Sequence, residues 1–261
     1  MARRGCTNRA ETRTPSPTKI LGVFPATRPS VVRDLGSADP AARAAAYEAL
    51  ARSYWQPVYA YIRLRWRRAP EDAQDLTQEF FARAFERDYL SRYDPALARF
   101  RTFVRTCLDG FLANQEKSAA RLKRGGGYVI AAVDFERFDA DLAVHARSED
   151  PDPERWFHRE WVRGLFARAV ERLRTHCDDK GHADAFVLFT RYDIDSDSAA
   201  PRPTYAVLAR ETGRSVTDVT NELAWARRAF REIVLDLLRA ICATDDEFRA
   251  EARDLLGIDP P

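Results

Sequence analysis

The chain has 261 residues, 45% of them hydrophobic and 31% charged, enough to bury a real core in one large or two small domains. Its 42 basic and 40 acidic side chains leave a net charge of +2, modest for a protein that binds nucleic acid alone and tightly, although local segments differ. No apolar run approaches bilayer-spanning length, and no apolar core follows the first arginines as in a secretory signal. Scarce glycine and abundant charge favour an all-α protein, and four scattered cysteines without a CxxC pair favour a reduced, cytoplasmic setting.

Residues 1–37, with TRTPSPTK and PATRPS, carry neither helical nor strand periodicity and read as a disordered, mildly basic arm. Asp39-Pro40 is a helix start, an N-cap followed by proline at the first helical position. Tyr47, Leu50, Tyr54, Val58 and Ile62 give that helix an apolar stripe, with Pro57 marking a break. A second helix starts at Pro70 with acids in its first turn, where the helix dipole favours them. Leu76, Phe80, Phe81 and Phe85 form its apolar side; Asp72, Asp75, Glu79 and Glu86 recur on another. That acidic face is either solvated or a docking surface for a basic partner.

Asp94-Pro95 predicts a turn, after which FRTFVRTCLDGFLANQEKSAARLKR resumes a helix with Phe100, Phe103, Leu108, Phe111 and Leu112 as core. Arg99, Arg101, Arg105, Lys117, Arg121, Lys123 and Arg124 make this the most basic stretch. Cations interleaved with aromatics suit single-stranded nucleic acid, while core aromatics with solvated arginines are the alternative. Glycines 125–127 close the first domain, and the segment up to 153 lacks a clear period and reads as an extended linker. Next comes PERWFHREWVRGLFARAVERLRTH, a helix with Trp156, Phe157, Trp161, Leu165, Phe166, Ala169 and Leu173 as core; a DDKG turn leads to HADAFVLFTRYD.

TYAVLARETGRSVTDVTNELAWARRAFREIV reads as a short helix, a glycine turn and a long helix. Ala209 lets the two helices touch, Gly213 takes the turn, and Ser215 caps the second helix with Asp218 in a capping box. Leu208, Val219, Leu223 and Ala226 face inward; Thr217, Thr220, Asn221, Arg227 and Arg228 do not. This is either a helix-turn-helix for the major groove or an ordinary hairpin with a solvated polar face. A final amphipathic helix, ICATDDEFRAEARDLLGI, is capped by Thr244 or Asp245. Two patterns mislead. Asp193-Ile-Asp195-Ser-Asp197 starts like a calcium loop, but Ser198 and Thr204 stand where glycine and glutamate belong; His176, Cys177 and His182 lack a fourth zinc ligand nearby.

Taken together, PEDAQDLTQEFFARAFER, YDPALARFRTFVRTCLDGFLANQEKSAARLKRGGG, the tryptophans of ERWFHREW and the helix-turn-helix stretch resemble a bacterial RNA polymerase sigma factor of the extracytoplasmic-function group, within the sigma-70 superfamily. The likeness covers about residues 39–250. It implies two helical domains joined by an extended linker: the arm at 1–37, a region 2-like domain at 38–124, a linker at 125–153, and a region 4-like helix-turn-helix domain with its tail at 154–261. It implies that Asp72, Asp75, Gln78 and Glu79 dock on the clamp helices of the largest subunit of core RNA polymerase. Arg99, Arg101, Thr102, Arg105, Asn114, Lys117 and Arg121 would hold the melted −10 element. Arg214, Ser215, Thr217, Asp218, Thr220, Asn221, Arg227 and Arg228 would meet the −35 duplex. Glu222 and Trp225 depart from the pattern, standing where such helices often carry Lys, Arg or His.

The expected function is therefore a non-enzymatic, cytoplasmic initiation factor with core polymerase and promoter DNA as partners. The resemblance leaves room for an anti-sigma factor or another regulator, and implies no cofactor, no metal and no membrane insertion. The competing expectation is a stand-alone helix-turn-helix regulator that never touches polymerase.

Overall fold

A computed structural model describes residues 30–118, 130, 133–145, 152–195 and 202–260. Among these the chain is helical without strands: α1 Val31–Asp34, α2 Pro40–Ala60, α3 Pro70–Arg87, α4 Phe100–Ser118, α5 Phe135–His145, α6 Pro153–Lys180, α7 Ala183–Phe189, α8 Tyr205–Thr212, α9 Val216–Ile241 and α10 Asp245–Leu256. Wide π turns extend α2 over Tyr61–Arg65 and α7 over Thr190–Ile194. No described helix is long and apolar enough to cross a membrane.

Several starts and stops follow the local chemistry. The Asp39 carboxylate accepts from Ala41 N at 3.0 Å, and Pro40 opens α2. Thr204 caps α8 and Thr244 caps α10. Asp94 Oδ1 accepts from Ala96 N at 2.9 Å and so closes the Asp94-Pro95 turn. Gly181 and Gly213 end α6 and α8 at φ +73° and +66°, in the left-handed region that a side chain would strain.

Pro57 does not break α2. Proline at this position removes the N–H that would meet the Ser53 carbonyl, yet the helix runs on to Ala60. The freed carbonyl accepts instead from Arg168 Nη1 of α6 at 2.9 Å. Four residues earlier, α6 approaches α2 closely: a Cβ on Gly164 would lie 2.8 Å from Gln56 Oε1. The α2–α6 crossing is thus built from a proline on one helix, and a glycine and an arginine on the other.

Helices α6 and α9 are long, roughly 42 and 39 Å at 1.5 Å per residue, and they hold the molecule together. Their far ends combine with α7 and α8 around Leu173, Cys177, Leu188, Phe189, Leu208, Val219, Leu223 and Ala226. Their near ends join α1–α5 and α10 in a larger core that includes the fully buried Tyr54, Tyr59, Tyr61, Phe80, Phe81, Phe100 and Phe157. Each phenylalanine there contributes roughly 2 kcal/mol by leaving water.

The segment expected to join two helical domains, residues 125–153, contains helix α5. The larger core takes side chains from both sides of residues 125–153. Within that segment, α5 lays Phe135 and Phe138 against Trp55 at ring distances of 5.0 and 5.2 Å, and Asp139 accepts from Tyr59 Oη at 2.8 Å and Arg63 Nε at 2.7 Å. The acidic spacing that blurs its sequence period is thus partly structural. The expected arm also ends earlier. Val32 and Leu35 are buried on either side of α1's end, and Ser30 Oγ donates to Cys242 O at 2.6 Å, so the segment from 30 onward belongs to the core. Residues 1–29 lie outside the described residues.

Candidate nucleic-acid interface

The start of α4 concentrates the expected strand-holding side chains, and each meets a carboxylate. Arg99 Nη1 lies 2.5 Å from Asp254 Oδ2 and 3.4 Å from Glu251 Oε2. Arg101 pairs with Glu251, and its guanidinium stacks over Trp161 at 5.3 Å. Thr102 Oγ1 donates to Glu154 Oε1 at 2.5 Å, and Arg105 Nε donates to Glu154 Oε2 at 2.6 Å. Arg105 Nη1 reaches Asp109 Oδ2 at 2.6 Å, and Tyr61 Oη donates to the other oxygen of Asp109 at 2.9 Å. The first backbone N–H of α4, at Phe100, donates to Glu247 Oε1 at 2.7 Å.

The electrostatics match this geometry. Burial, with Arg99 beside it, lowers the Arg101 pKa from its ordinary value. The hydrogen bond from Arg99 holds the Asp254 carboxyl below the usual range. For Arg105 burial pulls downward, but Glu154 and Asp109 prevail and the net direction is up. Neighbouring His158 is pushed down to about 4, first by burial and then by Arg101 and Arg99. The cluster is an anion-binding row whose anions come from the chain itself. Of the other residues expected here, Asn114 is exposed, Lys117 falls near the end of α4, and Arg121 lies outside the described residues.

On α3 the apolar side buries Ala73, Phe80, Phe81 and Ala84, leaving Asp72 and Asp75 exposed and Gln78 and Glu79 half-buried. Glu79 is paired with Arg83 at 2.5 Å, one turn on. Phe85, expected in the core, is 37% exposed at the rim and meets Tyr47 edge-on at 5.2 Å.

The α8–α9 unit carries its expected turn. Ser215 Oγ accepts from Asp218 N at 3.1 Å, and Asp218 Oδ2 accepts from Ser215 N at 3.3 Å, which completes the capping box. The Ser215 hydroxyl, donating to Asp218 Oδ2 at 2.7 Å, and the Ser215 N–H hold the Asp218 carboxyl below its ordinary range. Ser215, Thr217, Asp218, Thr220 and Asn221 are exposed at the start of α9, and Arg228 near its middle. Two expected phosphate contacts are engaged elsewhere. Arg214 pairs with Asp184, and Arg227 makes a bidentate pair with Asp193 at 2.9 and 3.0 Å and raises its own pKa through it.

Glu222 and Trp225 turn away from that face. Glu222 Oε2 lies 2.9 Å from His182 Nδ1, and Trp225 stacks with His182 at 4.2 Å and with His176 at 5.5 Å. These contacts fasten α9 to the end of α6. Among the described residues no three His, Cys, Asp or Glu side chains gather as metal ligands would.

The sequence does not mark the carboxylates of the α4 cluster as partners of α4. Glu247, Glu251 and Asp254 follow one face of α10 at four- and three-residue spacing, a signal visible in DDEFRAEARD; its target is visible only in the fold. Compared with family models, curated proteins and solved structures, the chain has no match in any of the three.

Proposed function

We propose that the chain is a transcription initiation factor of the extracytoplasmic-function sigma type, binding core RNA polymerase through α3 and promoter DNA through α4 and the α8–α9 unit. The observation that carries this reading is the α4 row. Arg99, Arg101, Thr102 and Arg105 present side-chain donors to oxyanions along one stretch of helix, with the backbone N–H of Phe100 beside them. Phosphate oxygens suit the same donors as the carboxylates now held there.

Two further features support it. The exposed Asp72 and Asp75 give α3 a charge suited to a basic coiled coil. The capped start of α9 offers Thr217, Thr220 and Asn221 as hydrogen-bonding groups for base edges, and its middle offers Arg228 for phosphate. With Glu222 paired to His182 and Trp225 stacked with the same ring, duplex reading falls on the first two turns of α9. The near-neutral charge fits a factor whose DNA affinity depends on polymerase.

Co-purification with core polymerase tests the reading. The unaltered chain is expected to travel with the enzyme, and Asp72→Lys/Asp75→Lys to lose it while remaining folded. Sequence-specific duplex binding with no polymerase association would instead identify a stand-alone regulator.

A further inference from the structure

We infer that α10, together with the first turn of α6, is an intramolecular acidic cap that competes with nucleic acid for the α4 row, so that strand binding requires the cap to open. Given the proposed role of the α4 row as a phosphate site, the cap regulates that same site.

The fit of the cap to its target is regular. Glu247, Glu251 and Asp254 meet the N–H of Phe100, the guanidinium of Arg101 and the guanidinium of Arg99. From the other side Glu154 takes Thr102 and Arg105. Four carboxylates therefore occupy the donors that a sugar-phosphate backbone would use. One helix supplies three of them from more than 140 residues away in sequence, as the 147-residue separation of Phe100 from Glu247 shows.

The same helix buries little large apolar surface. Of its 12 residues only Phe248, Glu251 and Ala252 are buried, so Phe248 is the one large apolar side chain it buries. It joins α9 through the short Cys242–Thr244 connection and continues no helix of the core. Beyond the ion pairs, Phe248 under Arg239, Ala252 and the half-buried Leu255 and Leu256 hold it to the core, a smaller apolar contact than those of α6 and α9, so its hold responds to salt and to competing polyanions. Release of α10 would expose Arg99 and Arg101 and uncover the end of α9 on which Phe248 packs, leaving the α2–α6 crossing in place.

The test uses the full chain and a fluorescein-labelled single-stranded oligothymidylate, read by anisotropy at low salt. Because Glu251 is buried, the cap is weakened at its partly exposed members with Glu154→Gln/Asp254→Asn, and Asp246→Asn on the far side of α10 is the control. The double variant is expected to bind about tenfold more tightly than the unaltered chain, as follows from two competing ion pairs near the surface. The control is expected to bind as the unaltered chain does, and Arg99→Ala/Arg105→Ala to abolish binding. Hydrogen exchange on the unaltered chain supplies the second measurement: saturating oligonucleotide should strip protection from the amides of α10 while α6 and α9 keep theirs. If the variants loosen the fold, that exchange result decides alone. Equal affinity of unaltered and neutralised chains, with binding still lost in the arginine variant, would overturn the cap and leave the phosphate site standing. No binding by any variant, with α10 protection unchanged, would overturn both.

Discussion

Glu251→Gln probes the α4–α10 contact at its least accessible point. Glu251 is 2% exposed, and the side chain of its partner Arg101 is 11% exposed and lies over Trp161. Neutralising one member leaves the other charge out of water with its counterion gone, a loss of about 3–5 kcal/mol for a fully buried pair. Two features reduce it here. The glutamine amide oxygen still accepts a hydrogen bond, and Asp254, 2.5 Å from Arg99, stays close enough to share its charge. The expected loss is therefore about 2–3 kcal/mol, between a lost charged hydrogen bond and a stranded ion. Urea unfolding followed by tryptophan fluorescence reads it, with Trp161 as a local reporter, and the dependence on urea should keep its slope. Arg101→Met/Glu251→Met removes both charges and should regain most of the loss. A change under about 0.5 kcal/mol for Glu251→Gln, the level of a surface substitution, would refute the buried pair. So would a double variant worse than the sum of its singles.

Three other outcomes follow from the geometry. Ser215→Ala removes the capping-box oxygen of α9 and should lower stability by about 1 kcal/mol in thermal unfolding. Arg168→Met strands the Ser53 carbonyl beneath Pro57, and in a Pro57→Ala background, where a backbone N–H can return to that carbonyl, its cost should shrink by about 1 kcal/mol in a double-mutant cycle. Stability should also fall at both pH extremes. His158, pushed down to about 4, takes a proton more readily when unfolded, so stability is lost as pH drops from 6.5 towards 4, with a smaller slope in His158→Gln. Burial raises Tyr47, Tyr54, Tyr59 and Tyr61, the last to about 12, so the unfolded chain ionises first and stability is lost as pH rises above 10. Arg168, lowered to about 10 by burial, opposes that trend over the same range, and Arg168→Met should steepen it.

What the sequence made legible was local. Asp39-Pro40, the Ser215–Asp218 box, Gly213 and the apolar stripes of α2, α6 and α9 are set by neighbours within a few residues, and the fold keeps them. Pro57 carries a local break signal, and the group that sustains its helix, Arg168, is 115 residues away from Ser53 in the chain. Helix α1 is too short to show a period, and α5 mixes apolar and acidic residues because Asp139 has an internal role with Tyr59 and Arg63. The strand-holding candidates at 99–105 were recognisable as a basic, hydroxyl-bearing row. Their present partners were not, since Glu154 and the face of α10 acquire meaning only when α6 and α10 fold back across α4. For the same reason Glu222 and Trp225 read as altered DNA contacts, while the fold uses them to fasten α9 to His182 and His176.

Run-off transcription with core RNA polymerase on genomic fragments, with and without the chain, tests the central claim most directly. Discrete transcripts are expected that require the chain, disappear with Asp72→Lys/Asp75→Lys, and weaken with Arg99→Ala/Arg105→Ala. An identical transcript pattern with and without the folded chain, across fragments that it binds as duplex, would contradict an initiation factor and leave a stand-alone DNA-binding protein.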